Sequence, residues 1–346
     1  MRVGIFGKAG TGKSTLFRAL PGGGDTSVKG PSAGICTIRV PDERVDRLAD
    51  IFRLKKATHV SITFEDIDVK EDELLSPETL VRIKGAEVLA IVLRGFSDDF
   101  HPAPPEGLNP VKGFRAIESE LTLSDYLIAQ KRIERMTKEA RRDIEWTTLH
   151  KAIASLEREV PLRKVVFSGE ELRILSGFRF VSRVPLLLVL NVGEGDLAGE
   201  PYPELNSVAR DREIPLVRLS AKIEEEISQL SQAEQADFLK EMGIVRGARE
   251  KLVRGAFDAM DHICFLTVGE DEVRAWNIRR GATALMAAGR IHSDLEKGFI
   301  RAEVIGFEDF LRCGTMAKAR AEGKLKLEGK EYVLRDGDIF QVRFNV

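Results

Sequence analysis

Cysteine is scarce in this chain of 346 residues: Cys36, Cys264 and Cys313 lie far apart and in no C-x-x-C pair. Together with five scattered histidines they make a poor metal cluster. Buried or inert thiols are expected, since a free cysteine outside such motifs behaves as a small hydrophobe. Long apolar runs are missing too. The longest, around Pro185 to Leu190, falls well short of the ~20 residues a helix needs to cross a bilayer. No charged-then-apolar leader precedes the first strand signal, so no secretory signal is expected and a cytoplasmic location is the default. Nor is there an excess of positive charge, because 53 Lys+Arg against 55 Asp+Glu leave a net charge of −2. That rules out a chain that is basic throughout, and any nucleic-acid contact must be a local patch. No internal repeat and no low-complexity segment is found.

What is present starts close to the N-terminus. Arg2 to Phe6 alternates and is rich in β-branched and aromatic residues, the pattern of a strand, and it runs straight into GKAGTGKST. Strand, then G-x-x-x-x-G-K-S, then helix is the context of a phosphate loop. The spacing of Gly7, Gly12, Lys13 and Ser14 lets backbone N–H groups curl around phosphate oxygens, because glycine tolerates the φ/ψ values this needs. The candidate nucleotide contacts are Lys8, Ala9, Gly10, Thr11, Gly12, Lys13, Ser14 and Thr15. Lys13 would reach the β- and γ-phosphates, and Ser14 would ligate Mg²⁺. The helix from Ser14 to Leu20 adds the partial positive charge of its N-terminus, and Pro21 with Gly22 to Gly24 stops it.

Two or three domains are expected at this length. Strand signals recur at His59 to Ile67, Val88 to Leu93, Val184 to Leu190 and Ile214 to Leu219, with helical or loop material between them. This α/β alternation predicts a mostly parallel sheet covered by helices on both faces. Ligands of such sheets sit outside the carboxyl ends of the strands, where Gly7, Asp66, Asn191 and Ser220 would fall. One stretch breaks the alternation. From Ile117 to about Val160 the apolar spacing is helical, charge is dense and glycine and proline are absent inside, which favours an antiparallel helical hairpin. From about Ile263 short strands return between Gly-rich and Asp-Gly turns, at Gly281 and at Asp336-Gly337-Asp338, so a small β-rich domain closes the chain.

The C-terminal residues carry a family resemblance. EVRAWNIRRGATALMAAGRIHSDLEKGFIRAEVIGFEDF, followed by EGKEYVLRDGDIFQVRFNV, is similar nearly end to end to the TGS domain of the YchF family of Obg-like ATPases. NPVKGFRAIESELTLSDYLIAQKRI resembles the entry to that family's helical arm, and VPDERVDRLADIF the segment after its first switch. The resemblance covers nearly the whole chain and is weakest between Gly22 and Gly85. It implies an α/β P-loop NTPase of the G-domain type at 1–115 and 166–262, a helical coiled-coil insertion at 116–165, and a β-grasp-like TGS domain at 263–346. ATP with Mg²⁺ is then the expected ligand, and the ribosome, its RNA or its proteins the expected partner. A monomer without membrane or DNA-specific partners is implied.

The base site rests on Asn191, Val192 and Glu194, where GTPases of this class carry N-K-x-D. The longer Glu194 carboxylate would misalign with guanine, and in the resembling family this N-x-x-E signature goes with ATP. Ser220, Ala221 and Lys222 match the S-A-K loop that backs the base. For catalysis the candidates are Lys13 and Asp66, the aspartate of a D-x-x-G switch that here reads Asp66-Ile67-Asp68-Val69. The switch glycine is thus Val69, and Ile91 stands where the family carries a histidine, three residues before Arg94-Gly95-Phe96. The first switch aligns either on Cys36-Thr37-Ile38, making Thr37 a Mg²⁺ contact, or on Pro31 to Gly34, leaving none.

Two main readings follow. One is a slow ATPase that engages the ribosome; the other is a non-hydrolysing, nucleotide-binding scaffold for ribosomal RNA or protein. A GTP-binding switch is a third. For the partner surface the basic candidates are Lys131, Arg132, Arg135, Lys138, Arg141 and Arg142 in the arm. The terminal domain offers Arg274, Arg279, Arg280 and Arg290, with Trp276 and Phe299 as faces for unpaired bases.

Overall fold

The computed structural model describes residues 1–21, 29–32, 34–69, 73–98, 108–197, 199–242, 244 and 246–345, without the side chains of 29–32, 232, 233 and 236. The helix stop at Gly22 to Gly24, part of the alternative first-switch alignment at Ala33, the second-switch residues 70–72 and the terminal Val346 lie outside the described residues. In chain order the strands are β1 (Arg2–Phe6), β2 (Lys29–Ser32), β3 (Ile35–Arg39), β4 (Lys56–Thr58), β5 (Ser61–Asp66), β6 (Val88–Gly95) and β7 (Leu186–Val192). They continue with β8 (Leu216–Leu219), β9 (His262–Val268), β10 (Glu272–Arg279), β11 (Phe299–Gly306), β12 (Lys326–Glu328) and β13 (Asp338–Phe344). The first five helices are α1 (Lys13–Ala19), α2 (Glu43–Phe52), α3 (Pro77–Gly85), α4 (Pro110–Lys138) and α5 (Ile144–Leu156). No helix among the described residues is long and apolar enough to cross a membrane.

Two compact units result, one from Met1–Ile38 with Thr63–Ala259, the other from Arg39–Ile62 with Met260–Val346. The first is the expected α/β sheet, ordered β2-β3-β5-β1-β6-β7-β8. β1 pairs in parallel with β5 and β6, β6 with β7, and β7 with β8, while β2 and β3 are antiparallel. β6 and β7 are buried along their whole length, so they read as continuous apolar runs rather than alternating ones. The register sets Asp66 beside Ile5 and Asn191 beside Arg94, which gathers polar residues at one end of otherwise apolar strands.

Helix α4 starts at Pro110, before the expected Ile117, because Asn109 caps it by accepting from Lys112 N at 3.0 Å and proline suits the first turn. It serves two cores. Phe114, Ile117 and Leu121 pack with Leu89, Ile91 and Leu93 of β6, and Ala129 and Met136 pack with Leu149, Ala152 and Leu156 of α5. Between α4 and α5 the chain turns through Ala140 at φ 52°, and Asp143 caps α5 by accepting from the N–H groups of Glu145 and Trp146.

Asp125, on α4, has no exposed surface and accepts hydrogen bonds from Val181 N at 2.9 Å and Ser182 N at 2.7 Å. Burial outweighs these bonds and pushes its carboxyl up from 3.8 to about 6. A raised folded-state value means that Asp125 favours folding most when protonated. That contribution is present below the unfolded value of 3.8 and is lost as pH rises through about 6. Relative to Asp125→Asn, the wild type is expected to lose stability across this window at up to about 1.4 kcal/mol per pH unit, levelling off above it. Urea titrations at a series of pH values read this directly, and a flat difference would refute it.

In the second unit a sheet runs β12-β11-β13-β9-β10-β4. β9 with β10, β11 with β13 and β11 with β12 are antiparallel; β13 with β9 and β10 with β4 are parallel. Phe265 and Phe340 meet edge to face at 5.6 Å in its core. The Asp-Gly turn read from sequence is present. Gly337 has φ 82°, and Asp336 Oδ1 accepts from Cys264 N at 2.8 Å.

Residues 39–62 depart from the sequence expectation, which grouped them with the nucleotide-binding part. β4 extends the second sheet by pairing with β10, Lys56 beside Glu272 and Thr58 beside Arg274. Arg44 of α2 bonds both Asp42 and Asp336, the latter at 2.7 Å, and Phe52 stacks on Phe310 at 5.4 Å. Apart from Asp42, no local pattern encodes these partners, which lie more than two hundred positions downstream. The three cysteines are all buried. Burial raises the Cys36 thiol and takes that of Cys264 to about 12.

Candidate functional site

β1 ends at Phe6, and the loop after it turns through two glycines with left-handed backbone, Gly10 at φ 71° and Gly12 at φ 83°. At Gly12 a β-carbon would also collide with Asn191 Nδ2, so only glycine fits. Thr11 Oγ1 donates to Lys8 O at 2.9 Å inside the loop, and Leu16 N donates to Gly12 O at 2.9 Å as α1 begins. Lys13 is the first residue of α1, with 9% of its surface exposed.

The end of β5 brings Asp66 to this loop, where it accepts from the Ser14 hydroxyl and feels the charge of Lys13. Burial still dominates and holds the carboxyl above its usual range. Its Oδ1 is buried without a hydrogen-bond partner. An orphaned carboxylate oxygen beside a serine hydroxyl is an oxygen donor set for a hard divalent cation, so Mg²⁺ fits Ser14 and Asp66. Arg82 of α3, absent from the sequence expectations, holds this corner. It bonds Glu65 at 2.7 Å and the Asp66 carbonyl, and Asp66 N donates to Gly34 O at 2.9 Å. Its one signal in the sequence was the S-P-E helix start that places it one turn along α3.

At the neighbouring strand ends Asn191 joins two loops. Its Nδ2 donates to Thr11 O at 3.0 Å and its Oδ1 accepts from Ala221 N at 2.9 Å. The phosphate loop and the start of the helix Ala221–Ser228, whose N-cap residue is Ser220, are thereby fixed to each other, with Asn191 and Ser220 each 3% exposed. Beyond them Glu194 and Lys222 form an exposed ion pair at 3.0 Å.

Several expected residues are not in this constellation. Thr37 lies within β3 and its hydroxyl bonds that of Thr63 at 3.1 Å, so the structure does not bring it to Ser14 and Asp66. Strand pairing decides this, since Thr37 sits opposite Lys29 in the β2–β3 hairpin. Val192 is 2% exposed and packs in the sheet core, because alternation along β7 turns it away from the side that Asn191 faces. Val69 packs against the same core, and Ile91 is fully buried in it. In the second unit, Phe299 is 5% exposed inside the core and offers no face to a base. Trp276 is half-buried, its Nε1 bonded to Thr267 at 3.0 Å and one face covered by Arg274. Of the arm's basic residues, Arg132 and Arg141 are tied to Glu145.

The chain is similar to known proteins along its whole length. It is 35% identical to "Ribosome-binding ATPase YchF" of Bacillus subtilis (strain 168), with 100% of both chains covered. To the protein of the same description from Escherichia coli O157:H7 it is 32% identical, covering 100% of this chain and 99% of that one. Residues 262–345 match the family YchF-GTPase_C, described as a protein of unknown function (DUF933). Among solved structures, the Schizosaccharomyces pombe YchF GTPase superposes with a TM-score of 0.82 at 27% identity, over 99% of this chain and 97% of that one.

Proposed function

Since the chain belongs to the YchF family, we propose that it is an ATP-binding P-loop NTPase with slow basal turnover that works in association with the ribosome. The observation that carries the reading is the joined constellation of Lys13, Ser14 and Asp66 with Asn191. Lys13 meets the β- and γ-phosphates, and the loop amides take the remaining oxygens. Ser14 and Asp66 would hold Mg²⁺, which when bound neutralises charge on the β- and γ-phosphate oxygens.

Preference for ATP rests on Glu194. Its carboxylate is longer than the aspartate of the GTPase motif and is already engaged by Lys222, so guanine would leave donors unpaired, at a cost of about 1 kcal/mol or more. Slow turnover follows from what is missing at the motif positions: Val69 stands in place of the switch glycine, and Ile91, in place of the family's histidine, is turned into the core. Neither side chain can orient a water or stabilise charge. The same two residues favour the second reading, a scaffold that binds nucleotide without hydrolysing it. Association with the ribosome draws on the names of the relatives, and the TGS-like second unit and the arm are its proposed surfaces.

One set of measurements separates these readings. Calorimetric titration with ATP, GTP and a non-hydrolysable ATP analogue is expected to show ATP bound about fivefold or more tighter than GTP, as ~1 kcal/mol implies. Phosphate release should stay below about 1 per second without ribosomes. Co-sedimentation with ribosomes should weaken as salt rises. Glu194→Asp alone should narrow the ATP preference; Val192 is left in place because a lysine there would point into the core. Equal or tighter GTP binding would sink the ATP assignment, no measurable phosphate release would favour the scaffold, and a protein that never pellets with ribosomes would remove the partner.

A further inference from the structure

Val192 leaves the base side of this site without the lysine that the GTPase motif provides, and its own side chain points into the core. The neighbouring strand supplies a cation on the other side of the sheet. Arg94 of β6 is paired in register with Asn191 and is only 5% exposed. Gly95, the next residue, faces the opposite way, where a β-carbon would run into Leu190 and Tyr202 at 2.9 Å. Arg94 therefore shares the side of the sheet on which Asn191 holds the phosphate loop. Its Nε donates to Phe96 O at 3.1 Å, and its guanidinium lies over the Phe96 ring, 4.9 Å from the centroid. Held in this way, it reaches the loop itself: a β-carbon built on Gly10 would sit 3.5 Å from Arg94 Nη1.

We propose that Arg94 is a positioning residue for the nucleotide: fixed on Phe96, it braces the phosphate loop at Gly10 and places a permanent positive charge behind the phosphates. The inference rests on the reading of this loop as a nucleotide site. A buried charge acts at far greater strength than one in water, and a stacked guanidinium keeps its plane at little entropic cost. Gly10 is in left-handed backbone, a conformation that a neighbouring rigid group can hold in place. Because the brace works through charge on an anion, its effect grows with the number of phosphates. A role confined to packing would lower the affinity of every nucleotide alike.

The test uses the full-length protein with Mg²⁺ and compares ATP with ADP by calorimetry. Arg94→Met, which keeps bulk and removes charge, is expected to weaken ATP binding about tenfold, or ~1.4 kcal/mol, and ADP binding less. Arg94→Lys should recover ATP affinity to within about threefold of the wild type, since charge is kept and only the flat stacked geometry is lost. If the Met variant does not fold, Phe96→Leu reads the same brace: it keeps the charge but frees it, and should cost about threefold for ATP and less for ADP. Wild-type affinity in Arg94→Met, no recovery in Arg94→Lys, equal losses for ATP and ADP, or an unchanged Phe96→Leu would each overturn the proposal. A wild type that binds neither nucleotide removes the phosphate-site reading and the inference with it. Tight wild-type binding with an indifferent Arg94→Met removes the inference alone.

Discussion

Lys13→Ala is expected to weaken ATP binding by at least about 100-fold, roughly 2.7 kcal/mol, while the protein stays folded. The size follows from the position. Lys13 is at the mouth of α1, 9% exposed, and its charge is felt by Asp66 across the site. Removing it takes away a charge-assisted contact to two phosphates, each worth about 1.5–3 kcal/mol. It also withdraws the cation that draws the Asp66 carboxyl down, so Asp66 should hold its proton to higher pH in the variant. Lys13→Met serves as a packing control and should lose binding to the same extent. Calorimetry decides the matter: ATP affinity like that of the parent in either variant would mean that this loop does not hold phosphate.

Asn191→Ala comes next in expected effect, because it cuts two buried hydrogen bonds with one substitution. Thr11 O loses its donor and Ala221 N its acceptor, and leaving a buried group unpaired costs about 1–3 kcal/mol each. Thermal or urea unfolding should therefore show a loss of roughly 2–6 kcal/mol, with ATP affinity down by about tenfold or more as the phosphate loop and the helix start at Ser220 separate. Asn191→Asp offers a second comparison. A carboxylate still accepts from Ala221 N but sets a buried charge against Thr11 O, so at neutral pH it should be at least as destabilised as Ala. An alanine variant with parental stability and parental affinity would show that the two loops hold their places without this bridge.

The shape of the loop after β1 was legible because its conformation is written in adjacent residues. Gly10 and Gly12 adopt the left-handed backbone that the motif requires, and Asp66, read from a degraded D-x-x-G, does reach Ser14. The sheet was legible for a similar reason, since β6 and β7 are apolar from end to end. What stayed hidden depends on strand pairing and on which way a side chain faces. Thr37 and Val192 match motif positions by count, yet the hydroxyl of Thr37 in β3 bonds Thr63 rather than Ser14 or Asp66, and alternation along β7 buries Val192. Arg82 had no motif to announce it, because its role comes from α3 packing beside the end of β5. Phe299 and Trp276 looked like stacking surfaces only while their sheet was unknown. The placement of β4 and α2 could not be read at all, since both are held by residues of the distant C-terminal part.

That last feature bears on how the protein can be taken apart. Truncation ahead of Met260 would not excise a domain. It would leave β4 with the backbone groups that pair with β10 bared, and Phe52 and Arg44 without Phe310 and Asp336. An unpaired strand edge beside an uncovered aromatic invites aggregation. A clean excision removes two segments, 39–62 as well as 260–346, and the junction it needs is short, because Thr37 and Thr63 already touch through their hydroxyls at 3.1 Å. A few flexible residues joining Ile38 to Thr63 would close the nucleotide-binding unit on itself. Binding lost by a simple C-terminal deletion would report first on a fragment with stranded pieces, and only second on the surface removed.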